Sequence, residues 1–290
     1  MEPLPDPTDP AAGRPPGAAA GRGFELAGES ERLTRLIPGL WASRDLVAIL
    51  ARKDFFVRYR RVTFGLLWAV ALPVLQAVVL AFVVSRVVTF RELRPFTVYV
   101  LAGTTVWSFF STALATGSTS IVDGSAMSTK IYFPRLVFPI VSVAANAYAL
   151  VLGTAVLVAF DLGLGPGVHL RLLWLLAGMV LAVMLVAAAS AVLSAVHVYF
   201  RDVRYLVQAA LLAWFYVTPV FYPLDRMGRA RSFLLANPAT GLVELYHKAT
   251  IGPSHQWTTA VAWTVGWSAG LTVLALVLHR RYDRVFADLI

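Results

Sequence analysis

The sequence has no cysteine and very little charge for its length. Without cysteine, its 290 residues can form no disulfide bridge, thiolate metal site or cysteine nucleophile. Only 14% of the residues are charged, against about a quarter in an average soluble protein. No Gly-Lys pair occurs, so the ATP-binding P-loop pattern cannot be written anywhere in the chain. The five histidines are scattered and none begins an H-E-x-x-H motif, so no pattern predicts a metal site.

Long stretches without any charged side chain dominate the rest of the sequence. A helix rises ~1.5 Å per residue and the hydrocarbon core of a bilayer is ~30 Å thick, so roughly 20 apolar residues suffice to cross it. Six stretches reach that length, which predicts an all-α membrane protein with six transmembrane helices. The stretches lie between Arg61 and Arg86, Arg94 and Asp123, Arg135 and Asp161, Arg171 and Arg201, Arg204 and Asp225, and Lys248 and Arg280.

Two segments of different character precede the first span. Residues 1–40 are predicted to be a disordered cytoplasmic tail, because their Pro/Ala/Gly-rich first half cannot bury enough apolar surface to fold. Segment 41–61 carries most of its charged residues away from an apolar side of the helical wheel, which is formed by Leu46, Ile49, Leu50, Phe56 and Val57. It predicts an amphipathic helix in the membrane interface, with Arg58, Arg60 and Arg61 at headgroup level. The alternative is that this segment is simply the basic flank of the first span.

The net charge of +9 comes mainly from arginines beside the spans. Cations in that position are typical of topology determinants and of contacts with anionic membrane lipids, and nucleic acid is not an expected partner. With the N terminus inside, the inner flanks from Arg44 onward hold thirteen basic residues and the outer flanks hold eight. This bias predicts that both termini are cytoplasmic.

Segment 219–253 is too apolar for an ordinary loop and too interrupted by proline for a span. It predicts short helices that re-enter the membrane from the outer face, between the fifth and sixth spans. Such backbone survives at membrane depth only where protein or water satisfies its polar groups. A loop that lies on the membrane surface is the alternative.

Aromatic residues gather in the second and fifth spans. Trp107, Phe109 and Phe110 fall in the middle of the second span, and Trp214 and Tyr216 lie in the fifth. Aromatic belts at the two membrane interfaces are the ordinary explanation for such residues, but mid-span positions fit it less well. Because aromatic faces stack on sugar rings, the functional hypothesis is a lining for a saccharide path.

Ionisable residues are scarce inside the predicted spans. Proton- and ion-coupled transporters commonly place such residues there, so coupling to a proton gradient is not expected. Any pumping would draw its energy from another chain. Of the polar residues within the spans, Asn146 is interpreted as an interhelical hydrogen-bonding group. A membrane-embedded glycosyl or acyl transferase and a non-transport scaffold are the alternatives from other functional classes.

Several segments, in the same order and spacing, resemble one family. The run Ser128–Arg135 resembles the Lys-x-Tyr-Phe-Pro-Arg loop of ABC-2 type permeases, and in particular of the branch that exports polysaccharides, O-antigens and teichoic acids. The similarity covers about residues 41–290, which are taken as an ABC-2 type transmembrane domain. The further matching segments are residues 54–60 for the entry helix, 199–205 and 218–223 for the second inner loop and its continuation, and 237–242 for the outer re-entrant segment.

The resemblance implies a transporter subunit rather than an enzyme. It implies a homodimer in a bacterial plasma (inner) membrane, powered by two copies of a separate ATPase subunit that binds ATP and magnesium. This chain itself would then bind no cofactor. The implied substrate is a lipid-linked polysaccharide or teichoic-acid-type polymer that is moved out of the cytoplasm. A permease for a small drug or lipid is the alternative within the same family.

The resemblance also implies roles for particular residues. The interfacial arginines Arg58, Arg60 and Arg61 would attract the diphosphate of a lipid-linked glycan, or else contact the phosphates of membrane lipids. No catalytic residue is expected. Residues implied for coupling to the ATPase are Asp123, Lys130, Tyr132, Phe133, Pro134 and Arg135. Residues implied for an outer gate are Pro219, Phe221, Tyr222, Asn237 and Pro238.

Overall fold

All regular secondary structure in the described part of the chain is helical. A computed structural model describes residues 44–60, 65, 67–87, 93, 95–124, 135–164, 169–252 and 254–282. The helices are α1 (Arg44–Tyr59), α2 (Leu67–Val87), α3 (Phe96–Asp123), α4 (Val137–Leu164), α5 (Leu173–Tyr199), α6 (Val203–Val217), α7 (Arg231–Ala236), α8 (Thr240–Ala249) and α9 (Trp257–Tyr282). Short 3₁₀ turns cover Leu170–Leu172, Leu224–Arg226 and Gly228–Ala230.

Five of the described helices are long and apolar enough to cross a membrane, namely α2, α3, α4, α5 with its preceding turn, and α9. They confirm an all-helical protein with several membrane helices. The predicted fifth span corresponds to α6, whose 15 residues reach only ~22 Å, less than the ~30 Å hydrocarbon core. This helix ends at Val217, because Pro219 disfavours helical backbone at the preceding Thr218, which is extended. The count of six spans stays a prediction.

Helix α3 lies at the centre of the bundle. Its most apolar stretch is 78% buried, against 11% for α2 and 17% for α9. It packs against α2, α4, α5, α6 and α8. Gly103 permits a further close approach, since a Cβ there would lie 2.5 Å from the carbonyl oxygen of Val220. The chain that follows α6 therefore passes directly over the backbone of the central helix.

Helix α6 buries one stripe of side chains and exposes the other. The buried residues are Val203, Val207, Leu211 and Phe215, each four positions after the last, so they share one helix face. This face packs on α3. The opposite face is also apolar and includes the exposed Leu206 and Leu212. An apolar outer face of this kind is typical of contact with lipid or with another subunit.

Segment 41–61 contains a helix, α1, whose buried face differs from the apolar face predicted from the sequence. Ala51 and Phe55 are buried against α4, where the Phe55 ring stacks on Tyr148 with the ring centroids 5.1 Å apart. The predicted apolar face instead points away from the bundle, since Ile49 and Val57 are exposed. Its location in a membrane interface stays a prediction. Residues 1–40 and Arg61 lie outside the described residues.

The chain between α6 and α9 folds into short helices, and one of them is almost entirely buried. In α8, Leu242, Glu244 and Tyr246 are each about 1% exposed or less. This helix packs against α3, α5 and α9. Gly241 allows the contact with α9, because a Cβ there would come within 2.6 Å of the carbonyl oxygen of Ala260. The short helices predicted in this segment are present, and their entry into the membrane stays a prediction.

Candidate functional site

The two ends of the helix bundle carry different residues. The basic end comprises α1, the end of α3, the start of α4 and the turn between α5 and α6. The loop end comprises residues 218–252, which contain α7 and α8. The predicted coupling residues and interfacial arginines belong to the basic end, and the predicted gate residues belong to the loop end. Arginines described at the basic end are Arg44, Arg52, Arg58, Arg60, Arg135, Arg201 and Arg204.

At the basic end, an ion pair joins α3 to α6. Asp123, the last residue of α3, accepts a hydrogen bond from Nη2 of Arg204 at 3.1 Å and another from the hydroxyl of Thr119 at 2.6 Å. The side chains of Arg204 and Asp123 are 46% and 54% exposed. Because exposed ion pairs contribute little to stability, its main effect is to position the end of the central helix. Arg204 was not among the predicted site residues, although it lies in the matching segment 199–205.

Arg58 ties α1 to the inside of the bundle. Its Nη1 donates to Oδ1 of Asn146 at 2.9 Å, and its Nη2 pairs with Asp54 at 3.2 Å. The amide nitrogen of Asn146 donates to the hydroxyl of Thr116 at 3.0 Å and to the carbonyl of Ser142 at 2.7 Å. One network thus joins α1, α3 and α4. Asn146 has the interhelical role that the sequence suggested, but its arginine partner was not predicted.

The structure describes only two of the other predicted residues at the basic end. Arg60 is exposed and Arg135 is half-buried beside the start of α4. Four predicted coupling residues, Lys130, Tyr132, Phe133 and Pro134, lie outside the described residues. The proposed contact with an ATPase therefore stays a prediction for this whole group.

The five aromatic residues predicted to line a path lie in three places. Trp107 and Phe110 are buried between α3 and α6, with the Phe110 ring 5.3 Å from the ring of Trp214 in an edge-on contact. Phe109 faces a groove between α2, α3 and α4. Tyr216 is exposed on the outer face of α6. Within the described chain they do not share one surface, and their role in a saccharide path stays a prediction.

Asn237 is the centre of a hydrogen-bond network at the loop end. Its Oδ1 accepts from the indole N–H of Trp214 at 2.9 Å and from the backbone N–H of Ala239 at 3.0 Å. Its amide nitrogen donates to the hydroxyl of Thr218 at 3.1 Å. Because proline follows it, the residue takes extended backbone, which ends α7 and directs the chain into α8. A single side chain therefore joins the end of α6 to the start of the buried helix.

The remaining predicted gate residues surround this network. Pro219 is buried. The Phe221 ring lies 5.8 Å from the ring of Phe215, and the carbonyl of Tyr222 accepts a hydrogen bond from the Tyr99 hydroxyl at 3.3 Å. The carbonyl of Pro238 accepts from the hydroxyl of Thr264 at 2.8 Å. The structure thus brings all five predicted gate residues to the loop end, and their function as a gate stays a prediction.

Two carboxylates at the loop end have opposite environments. Burial raises the pKa of Glu244 to about 7, and a hydrogen bond from the backbone N–H of Ser254 at 2.8 Å partly opposes this rise. Burial also acts to raise the pKa of Asp225, but hydrogen bonds from His255 and the charge of Arg231 outweigh it and hold that pKa below its ordinary value. Asp225 contacts both partners at 2.9 Å. Sequence reasoning missed both carboxylates.

Comparison with known proteins gives the family. The ABC-2 type transporter family matches residues 45–250, from the start of α1 to the end of α8. The chain belongs to the ABC-2 type transporter family. It is 31% identical over 220 residues to the O-antigen export system permease protein RfbA of Myxococcus xanthus, which covers 74% of this chain and 83% of that protein. It is 24% identical over 252 residues to a protein of the same name from Klebsiella pneumoniae, covering 85% of this chain and 95% of that protein.

The family match confirms the resemblance seen in the sequence. The residues that match the family include the central helix, the basic end and nearly all of the loop end. The relatives also confirm the polysaccharide-export branch as the part of the family that this chain resembles. Among the described residues, no group of three or more His, Asp or Glu side chains is arranged to hold a metal ion.

Proposed function

We propose that this chain is the membrane subunit of an ATP-driven exporter that carries a lipid-linked polysaccharide of the O-antigen type out of the cytoplasm. The observation that carries the proposal is the family match over residues 45–250, together with relatives named as O-antigen export permeases that align over most of their length. The family supplies the transport activity, and the relatives supply the class of cargo. The membrane-helix bundle supplies the setting, an inner membrane crossed several times.

In this proposal, two copies of a separate ATPase subunit supply the energy for transport. The chain contains no Gly-Lys pair and so no P-loop of its own. The ATPase docks at the basic end, where Asp123, Arg135 and Arg204 are at least partly accessible and the Ser128–Arg135 run lies between α3 and α4 in the sequence. Movement at Asp123 reaches the whole bundle, because α3 packs on five other helices.

Both termini and the basic end face the cytoplasm in this arrangement. The excess of basic residues on the inner flanks supports that orientation. Helix α6 then forms the fifth of six spans, and the short helices of the loop end re-enter from the outer face. The burial of α8 among α3, α5 and α9 supports the re-entry, because protein surrounds its polar backbone.

Two copies of the chain form the transport unit. The apolar outer faces of α2 and α6 support a homodimer, and the cargo passes between the two copies. Arg58 and Arg60 attract the cargo's diphosphate from the inner leaflet, since clustered arginines suit binding of a multiply charged phosphate. The Asn237 network holds the outer exit, where the gate residues open and close the path.

A tagged copy of the full chain, isolated from native membranes in mild detergent, tests the proposal through what co-purifies. A stoichiometric ATPase subunit is expected, with hydrolysis that rises when lipid-linked glycan is added. A chain that stays alone, even after crosslinking in intact membranes, would overturn the proposal of an ATP-driven exporter.

A further inference from the structure

A groove with polar lining lies between α2, α3 and α4. Its volume is about 190 Å³. From α3 it is lined by Ser108, Phe109 and Thr112, whose spacing of three and four residues places them on one helix face. Trp68 of α2 and Asn146 of α4 also line it. These five residues define the Ser108 groove.

Some polar groups of the Ser108 groove have no partner. Among the residues that the structure describes, neither the Ser108 hydroxyl nor the Thr112 hydroxyl takes part in a hydrogen bond, whereas Thr105 donates to a carbonyl of its own helix at 2.7 Å. Pro73 lacks an N–H, so the carbonyl of Ala69 loses its helical donor, and both residues line the groove. Ser108 is half-buried and Thr112 is exposed, so both hydroxyls are accessible for hydrogen bonds to a polar ligand.

Two other grooves on the same bundle have no such lining. One lies between α5, α8 and α9 and includes Trp174, Met184 and Val265. The other runs along α9 and includes Trp263, Gly266 and Gly270. Both are lined by apolar residues and tryptophan rings, which suits acyl chains or another helix. The polarity of the Ser108 groove is therefore a local property and not a general one of the bundle surface.

We propose that the Ser108 groove binds a single sugar ring of the cargo, an inference that rests on the proposed function. The Trp68 ring, which is 41% exposed, lies against the apolar face of the sugar above the buried Phe109 ring, and the Ser108 and Thr112 hydroxyls hydrogen-bond the hydroxyl groups of the sugar. This combination of aromatic surface with a few placed polar groups is common in ligand pockets. A volume of about 190 Å³ is below the ~300 Å³ at which pockets for drug-sized ligands begin, so the groove holds one ring and not an oligosaccharide.

The neighbouring charge indicates which sugar of the cargo would enter. Arg58 contacts Asn146, a wall residue of the groove, at 2.9 Å and retains a side chain that is one-third exposed. A phosphate linked to the bound ring would therefore lie close to a guanidinium group. The ring that occupies the groove is the one attached to the lipid diphosphate.

Protection of an introduced cysteine tests the groove directly, because the natural chain has no cysteine. The full chain carrying Ser108→Cys is placed in lipid nanodiscs and reacted with a small, charged thiol reagent. Octyl glycosides of glucose, galactose, mannose and N-acetylglucosamine are added below the concentration at which they form micelles, with 1-octanol as the sugar-free control. At ten times its Kd, the best glycoside should slow labelling about tenfold, since only the unoccupied fraction reacts. Octanol should leave the rate unchanged.

Matched variants decide the alternatives. Gly270→Cys, in the apolar groove along α9, should be protected equally by glycosides and octanol or by neither. On the Ser108→Cys background, Thr112→Val should weaken glycoside protection and Thr112→Ser should retain it. Protection of the Ser108→Cys thiol by octanol as strong as that by the best glycoside would show an acyl-chain groove and overturn the proposal. Absence of protection by every glycoside, or equal protection in the two Thr112 variants, would overturn it as well.

The labelling assay needs neither an ATPase nor export. Loss of surface glycan in cells that lack the chain is measured separately. Glycoside protection without any export defect would support the groove as a sugar site and overturn the proposed export function. An export defect without glycoside protection would overturn the groove as a sugar site and support the proposed export function.

Discussion

At the loop end the hydrogen-bond network of Asn237 is buried, whereas at the basic end the Asp123–Arg204 ion pair is exposed. Asn237 and its partner Thr218 are buried. The Asp123–Arg204 pair at the other end is about half exposed. The comparison indicates a division of labour, in which the loop end is fixed by its own contacts and the basic end keeps charges accessible to a partner.

The difference in burial between the two ends predicts different changes in stability when their contacts are removed. A buried polar group that loses its partner costs about 1–3 kcal/mol, whereas an exposed ion pair contributes about 0–1 kcal/mol. Substitutions at the loop end should therefore lower stability. Substitutions at the basic end should lower transport and leave stability nearly unchanged.

The largest expected effect is at the contact between α8 and α9. Gly241→Val should lower the free energy of unfolding by about 3 kcal/mol or more, because the new side chain meets the backbone of α9 and overpacks a filled site. Thermal unfolding of the purified chain in detergent measures this. Gly266→Val is the control, since nothing lies within 4 Å of a Cβ at that glycine. Equal stability of the two variants would contradict the packing of α8.

Asn237→Ala should have the next largest effect. Removal of its side chain leaves the Trp214 indole N–H and the backbone N–H of Ala239 without their acceptor, for a cost of about 2–3 kcal/mol. Gln208→Ala removes a comparable amide from an exposed position of α6 and should change stability little. Unfolding midpoints of both variants make the comparison, and a loss no greater for Asn237→Ala than for Gln208→Ala would show that the network is not structural.

Glu244 should make stability depend on pH. Its pKa in the folded protein, about 7, lies above the ordinary value of 4.5, so the folded state binds the extra proton between these values. Stability should therefore fall as pH rises, by about 2 kcal/mol between pH 5.5 and 7.5. Unfolding at several pH values measures the slope, and Glu244→Gln should flatten it. A slope that persists in Glu244→Gln would assign the pH dependence to another group.

Asp225 provides the opposite case at the same end of the bundle. Its folded pKa is lowered, so its contribution to stability is present above the unfolded value and disappears as pH falls through the folded one. Asp225→Asn should therefore lower stability at neutral pH and have little effect in acid. A uniform loss at all pH values would show that the substitution acts through packing instead.

The smallest effect on stability, with a large one on transport, is expected at the basic end. Asp123→Ala and Arg204→Ala should each change the free energy of unfolding by less than about 1 kcal/mol, because the pair is exposed. Export of glycan should nevertheless fall, since the pair holds the end of the central helix where the ATPase is proposed to act. Surface glycan and unfolding are measured on the same variants. Normal export by both variants would show that the basic end is not the surface that couples the chain to the ATPase.

Local patterns in the sequence were sufficient to predict the long helices and the broken segment. Uncharged stretches mark α2, α3, α4, α5 and α9, because the need to avoid charge in a membrane is a property of each stretch by itself. Prolines mark the ends of α6 and α7 for an equally local reason. The length of α6 was overestimated because an uncharged stretch does not show where proline stops a helix.

The candidate site depends on contacts between distant parts of the chain. Arg58 and Asn146 are 88 residues apart, and Tyr99 and Tyr222 are 123 apart. No local pattern specifies such pairs, so Arg58 was predicted to face lipid headgroups, with no partner in the bundle. The mid-span aromatics were noticed because of their position, but the packing of Trp107 and Phe110 between α3 and α6 follows only from the tertiary arrangement.

Deletion of the gene, followed by analysis of the cell surface and of the lipid-linked glycan pool, tests the export function itself. Surface polysaccharide should disappear while its lipid-linked form accumulates inside the cell, and the intact chain should restore export when supplied from a plasmid. Unchanged surface polysaccharide in the deletion strain, with no intracellular accumulation, would contradict a role in polysaccharide export.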